Sequence, residues 1–195
     1  IALIGHHLYT GRIKIVSDAA VRRKMGSHAY VIIDTQYPTR SIKSTGPVDA
    51  DPVTLSSYRA ELSGILGAII LLELIADYFT LRHGDPIPLT IVCDNVSALE
   101  RIDQPLARGI RYRLIPEFDL INEIHATLIR LNADTDVVHV KGHQDNAADV
   151  ANLPENARLN IDCDHRAGAF LSDPPMGMNP RSSAPFIPSS RVALS

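Results

Sequence analysis

The chain has 195 residues, 45% hydrophobic and 21% charged, which is room and composition for one folded domain with a real core. A net charge of −3 excludes a protein that holds nucleic acid by a bulk basic field, though not one with a local basic surface. Its longest apolar stretch, Ile65 to Leu72, is too short for a bilayer and is bracketed by Glu61, Glu73 and Asp77, and two cysteines imply no disulfide framework.

Residues 1–12 read as a lead-in segment. The start at Ile1, with no charged region leading to a cleavage site, reads as a piece of a longer intracellular polypeptide. Ile13 to Asp18 has the pattern of a strand whose last member is an aspartate. A polar turn around Lys24 to Ser27 follows, with the basic cluster Arg22-Arg23-Lys24 beside it. Ala29 to Ile33 reads as a second strand and Ser41 to Val48 as a third, more polar one near an edge, close enough together to form an antiparallel meander.

After a loop with Pro47 and Pro52, Ser56 or Ser57 can cap a long helix over Tyr58 to Leu81, in which Leu62, Ile65, Leu66, Ile69, Leu72 and Ile75 recur at threes and fours. Gly64 and Gly67 lower its propensity but permit a close approach to a sheet. Leu89 to Cys93 is a short, β-branched run that reads as a strand buried on both faces, and it stops on Asp94. Either Asp94 caps the next helix, Val96 to about Ile102, or it belongs to a site at the carboxyl end of the strand. An arginine-rich connection (Arg101, Arg108, Arg111, Arg113), a helix from about Pro116 to Leu131 and a strand over Asp136 to Val140 come next, then Lys141-Gly142-His143. A long loop leads to a closing helix over Leu159 to Leu171, and residues 172–195 are a Pro-rich tail or linker.

The order β-β-β-α-β-α-α-β-α, with a right-handed crossover from the meander to the fourth strand, predicts a mixed sheet. Its fourth strand lies parallel to the first, and Asp18 and Asp94 emerge side by side. Glu61, near the start of the long helix, and Asp164, in the last helix, can reach the same place.

Several motifs then fall in one sequence. They are Val16-Ser17-Asp18, Ser57-Tyr58-Arg59-Ala60-Glu61-Leu62, Val92-Cys93-Asp94-Asn95, Val140-Lys141-Gly142-His143, and Asn160 to Ala167 with Asp164 inside. In this order they resemble the ribonuclease H family over about Ile13 to Leu171. The chain departs from the family pattern in having Asp18-Ala19-Ala20 where Asp-Gly-Ser is usual, in a longer gap between His143 and Asp164, and in having no tryptophan.

The resemblance implies an α/β domain of the RNase H-like fold, with a five-stranded mixed sheet flanked by helices, over residues 13–171. It implies hydrolysis of the RNA strand of RNA/DNA hybrids with two Mg²⁺ ions, Mn²⁺ being a substitute, since hard cations choose oxygen ligands. Asp18 would bridge the ions, Asp94 and Asp164 serve the one that activates water, and Glu61 the other. Without metal their mutual repulsion would raise at least one pKa. His143 would assist proton transfer, and Ala19, Ser57 and Asn95 would contact substrate. An adjoining reverse transcriptase domain of a retroelement polyprotein is the implied partner, in cytoplasm or nucleus, with no membrane. Two alternatives stay open: a non-catalytic RNase H-like scaffold for nucleic acid or protein, and another nuclease or strand transferase of the superfamily with a differently spaced acidic set.

Overall fold

A computed structural model of the chain describes residue 8 and residues 13–50, 53–80, 84–104, 115–146 and 149–174. Among the described residues, five strands and four helices follow in the order β-β-β-α-β-α-α-β-α that the sequence pattern predicts. The strands are β1 (Ile13–Arg22), β2 (Met25–Asp34), β3 (Tyr37–Pro47), β4 (Ile87–Cys93) and β5 (Ala133–His139). The helices are α1 (Ser57–Tyr78), α2 (Val96–Asp103), α3 (Phe118–Leu131) and α4 (Glu155–Ser172). They build one mixed sheet in the order β3-β2-β1-β4-β5, antiparallel through the β1-β2-β3 meander and parallel from β1 through β4 to β5.

Strand alternation divides the core into two layers. Ile13 and Ile15 of β1, Tyr30 and Ile32 of β2 and Leu89, Ile91 and Cys93 of β4 face the layer that includes α1, α2 and α3, and the isolated Leu8 is buried there too. Val16 of β1, Ala29, Val31 and Ile33 of β2 and Val92 of β4 face Ala157, Cys163 and Ala167 of α4. The long helix lies on the first face because its apolar residues recur on one stripe. Leu62, Ile65, Ile69 and Leu72 are wholly buried, each contributing about 1.5–3 kcal/mol. Gly64 is where helix meets sheet most closely: a Cβ there would lie 2.6 Å from Ser17 Oγ. That approach brings the first turns of α1 over β1.

Several boundaries differ from expectation for physical reasons. β1 does not end at Asp18; it runs on to Arg22, because its antiparallel partner β2 carries the ladder to Arg22↔Met25. The parallel pairing with β4, however, stops at Val16↔Val92, so Asp18 stands where β1 leaves its parallel neighbour. The turn falls at Arg23-Lys24, ahead of the expected one. β5 starts at Ala133, its polar residues being those of an edge strand. α4 starts at Glu155 immediately after Pro154, so part of the expected long loop is helix. The rest of that loop holds two single 3₁₀ turns, Gln144–Asn146 and Val150–Asn152. Arg108, Arg111 and Arg113, most of the lead-in and most of the tail lie outside the described residues.

Candidate active site

Each acidic residue is delivered by a different element. Asp18 is on β1 with the parity of Val16, hence on the α4 side of the sheet, and only 6% of it is exposed. Glu61 lies beyond the first turn of α1 and is equally buried. It is therefore no dipole partner at the helix start; Ser56 caps that end by accepting from the Arg59 N–H at 2.9 Å. Asp94 follows the last residue of β4. Asn95, not Asp94, caps α2, its side-chain oxygen accepting from the Ala98 N–H at 3.1 Å, which leaves the Asp94 carboxylate free of capping. Asp164 comes from α4, a helix packed along β1, and is half-buried.

The four converge. The Asp18 and Glu61 carboxyls interact directly with one another. Ligand atoms of Glu61, Cys93 and Asp94 all lie within 4.8 Å of one another. Asp18 feels all three of the other carboxyls, Glu61, Asp94 and Asp164. Burial, then the charge of Asp94, pushes the Asp18 carboxyl up to about 7, while the Ala19 N–H, donating to Asp18 Oδ1 at 2.7 Å, pulls the other way. Glu61 is raised well above the usual carboxylate range by burial and then by Asp18 and Asp94. Asp94 is raised by burial, with His143 opposing. The expected repulsion is present in the fold. Among the described residues no Lys or Arg pairs with any of the four.

Two residues that sequence reasoning passed over shape this cluster. Cys93 donates its thiol to Glu61 Oε2 at 3.5 Å and accepts the Asn95 N–H at 3.4 Å. Burial and the neighbouring carboxylates hold its pKa well above that of an ordinary thiol, so it keeps its proton and offers no thiolate. Gly142 lies against Asp94: a Cβ at that position would fall far inside the van der Waals envelope of Asp94 Oδ2. The Gly-His loop therefore closes over Asp94 only because residue 142 has no side chain. His139 places Nε2 3.2 Å from the Asp94 backbone oxygen.

His143 stands at the mouth of the cluster at φ 51, its side chain 70% exposed and its Nδ1 3.8 Å from Asp164 Oδ2. Ser57 opens α1 and is exposed, one helical turn before Glu61; Ala19 and Asn95 are part-exposed next to Asp18 and Asp94. Arg59 anchors the start of α1 from behind. Its guanidinium pairs with Glu117 and, at 2.7 Å, with Asp119, while its Nε donates to the Asp49 carbonyl at 3.0 Å.

The donor set fits divalent cations. Four carboxyls supply the oxygen ligands that hard cations prefer, two of them are buried with no Lys or Arg paired to them among the described residues, and the Cys93 and Cys163 thiols nearby are both held above the usual thiol range.

No family model matches the chain, and no curated protein matches its sequence. Solved structures do match. The crystal structure of LC11-RNase H1 in complex with RNA/DNA hybrid is 13% identical at a TM-score of 0.53, covering 82% of this chain and 99% of that one. RNase H1 from the halophilic archaeon Halobacterium salinarum NRC-1 is 14% identical at a TM-score of 0.45, covering 77% and 98%. The first match, together with the β3-β2-β1-β4-β5 sheet and its flanking helices, shows that this chain has the ribonuclease H fold.

Proposed function

We propose that the chain is a metal-dependent endoribonuclease that cuts the RNA strand of RNA/DNA hybrids, leaving a 3′-hydroxyl. One observation carries the reading: four carboxyls from four separate elements are drawn together, two of them buried, and among the described residues no Lys or Arg pairs with them. Ionising buried carboxyls that no Lys or Arg pairs with, among the described residues, costs several kcal/mol, a cost that a cation from solution would relieve. That LC11-RNase H1 binds an RNA/DNA hybrid on the same fold supports the substrate class.

Asp18, Glu61, Asp94 and Asp164 would hold Mg²⁺ ions. When bound, such ions activate water and take up charge on the leaving oxygen. The chain's own contribution is positioning. The Ala19 N–H fixes one oxygen of Asp18, and the backbone of Gly142 closes against Asp94. The exposed imidazole of His143, beside Asp164, can carry a proton between the site and solvent. Ser57, exposed, and Asn95, part-exposed, would meet the 2′-hydroxyls of an RNA strand. The adjoining reverse transcriptase and the intracellular setting belong to the same proposal, on the sequence resemblance alone. Among the described residues no helix is long and apolar enough to cross a membrane.

The test uses labelled RNA/DNA hybrid, duplex DNA and duplex RNA, each with Mg²⁺ or EDTA. Only the RNA strand of the hybrid should be cut, only with the metal, and not by an Asp94→Asn variant. Equal cleavage in EDTA, or by that variant, would refute the proposal. Metal-dependent hybrid binding without cleavage would favour the scaffold alternative.

A further inference from the structure

The β1-β2 hairpin ends on Arg22, Arg23 and Lys24, all exposed and none held in an ion pair among the described residues. Its two central residues have positive φ, 51° at Arg23 and 64° at Lys24. Left-handed backbone at both positions of a two-residue hairpin is the geometry that Asn-Gly fills with least strain, and side chains with a Cβ fill it at a cost. A turn that needed only solubility would be satisfied by the favoured pair. Two long cations kept in the disfavoured conformation point to a use for their charge.

Position supplies that use. Pairing of β1 with β4 ends at Val16↔Val92, so β1 beyond Ser17 runs past its parallel neighbour, and its strand partner there is β2. The β1-β2 ladder has no register shift, so Arg22 keeps the parity of Asp18 and lies on the same face, four residues and roughly 13 Å further along the strand. The chain as a whole is acidic, at −3, so its surface does not attract polyanions in general. A cationic arm on the active-site side of such a molecule selects a polyanion already lying across that site.

We infer that this hairpin is a second substrate contact, in which Arg22, Arg23 and Lys24 grip backbone phosphates of the duplex to one side of the scissile bond. The inference rests on the hydrolase reading above. It concerns phosphate, not base or sugar, so it adds affinity without sequence preference.

The decisive variant is Arg23→Asn with Lys24→Gly, which removes two cations while installing the preferred turn. Thermal unfolding of the full chain should show it at least as stable as the parent, so weaker binding cannot be blamed on misfolding. Binding of fluorescent hybrid is then measured with Mg²⁺ in an Asp94→Asn background, which keeps the hybrid intact, at several salt concentrations. We expect Kd to rise about tenfold near ~0.1 M salt, and the slope of log Kd against log salt to become shallower by about 1.5, the counterion release of two lost contacts. An unchanged Kd and slope overturns the hairpin contact and leaves the hydrolase reading standing. If the parent chain neither binds nor cuts the hybrid, the hydrolase reading falls and takes this inference with it.

Discussion

Replacing Asp18 with asparagine should stabilise the metal-free protein at pH 8 and change it little at pH 4. Raising its carboxyl from 3.8 to about 7 in the folded state means that the ionised form is disfavoured there by about 4 kcal/mol. Because the folded value lies above the unfolded one, protonation of Asp18 supports the fold below about pH 4. That support is lost as pH rises through about 7. Asparagine removes the charge and keeps an oxygen for the Ala19 N–H, so most of the penalty disappears and little is lost. We expect a gain of about 2–4 kcal/mol at pH 8, or about 5–15 °C in Tm for a domain of this size. Melts in EDTA from pH 4 to pH 8 measure it directly. Mg²⁺ should then raise the Tm of the parent at pH 8 and narrow the gap to the variant. A parent-variant difference that is flat across this pH range would refute the picture of a buried, uncompensated carboxylate.

Other outcomes follow from single contacts. Gly142→Ala should lower hybrid cleavage about 100-fold by displacing Asp94 or the loop above it, with the circular dichroism spectrum retained; activity within threefold of the parent would mean that the loop yields freely. Arg59→Met keeps the stem but strands Glu117 and Asp119, and should cost about 2–4 kcal/mol in urea unfolding, whereas a loss under 0.5 kcal/mol would show the anchor to be idle. Cys93 and Cys163 are both buried with raised pKa values. Neither should react with iodoacetamide at pH 8 in the folded chain, and both should react in urea; labelling of Cys93 in the native protein would place it at the surface.

Much of this architecture is legible in the residue pattern, because the signals that specify it are local. The β-branched run before Asp94, the apolar stripe of α1 and the short spacing of the first three strands each dictate an element. Crossover handedness then fixes the order in which the strands lie. What escaped the sequence depends on contacts between distant segments. β1 passes Asp18 because β2 pairs with its last residues, and Ala19-Ala20-Val21 has no alternation to announce it. The turn at Arg23-Lys24 lacks the glycine or asparagine that normally marks positive φ. In the site, four acids declare themselves by charge and by their place at element ends. Cys93 has an ordinary core appearance, and its contact with Glu61 exists only once α1 lies on the sheet. Gly142 did carry a signal, a glycine before a histidine just past a strand, but what it avoids is the carboxylate of a different strand.

The placement of Asp164 on α4 has a consequence for timing. That helix is the last described element of the chain, and it packs along β1, to which Lys14 ties its start through Glu155 and Asn156, and against β2, where Ser27 donates to the Ala167 carbonyl. During synthesis the meander, α1 and β4 emerge first, so three of the acids can gather while the fourth is still unmade. On the proposed reading, a nascent chain in that condition would hold an incomplete ligand set and leave a hybrid uncut. Docking of α4 completes the sheet's second face and the acid cluster in one event, which couples the proposed chemistry to the last described step of assembly.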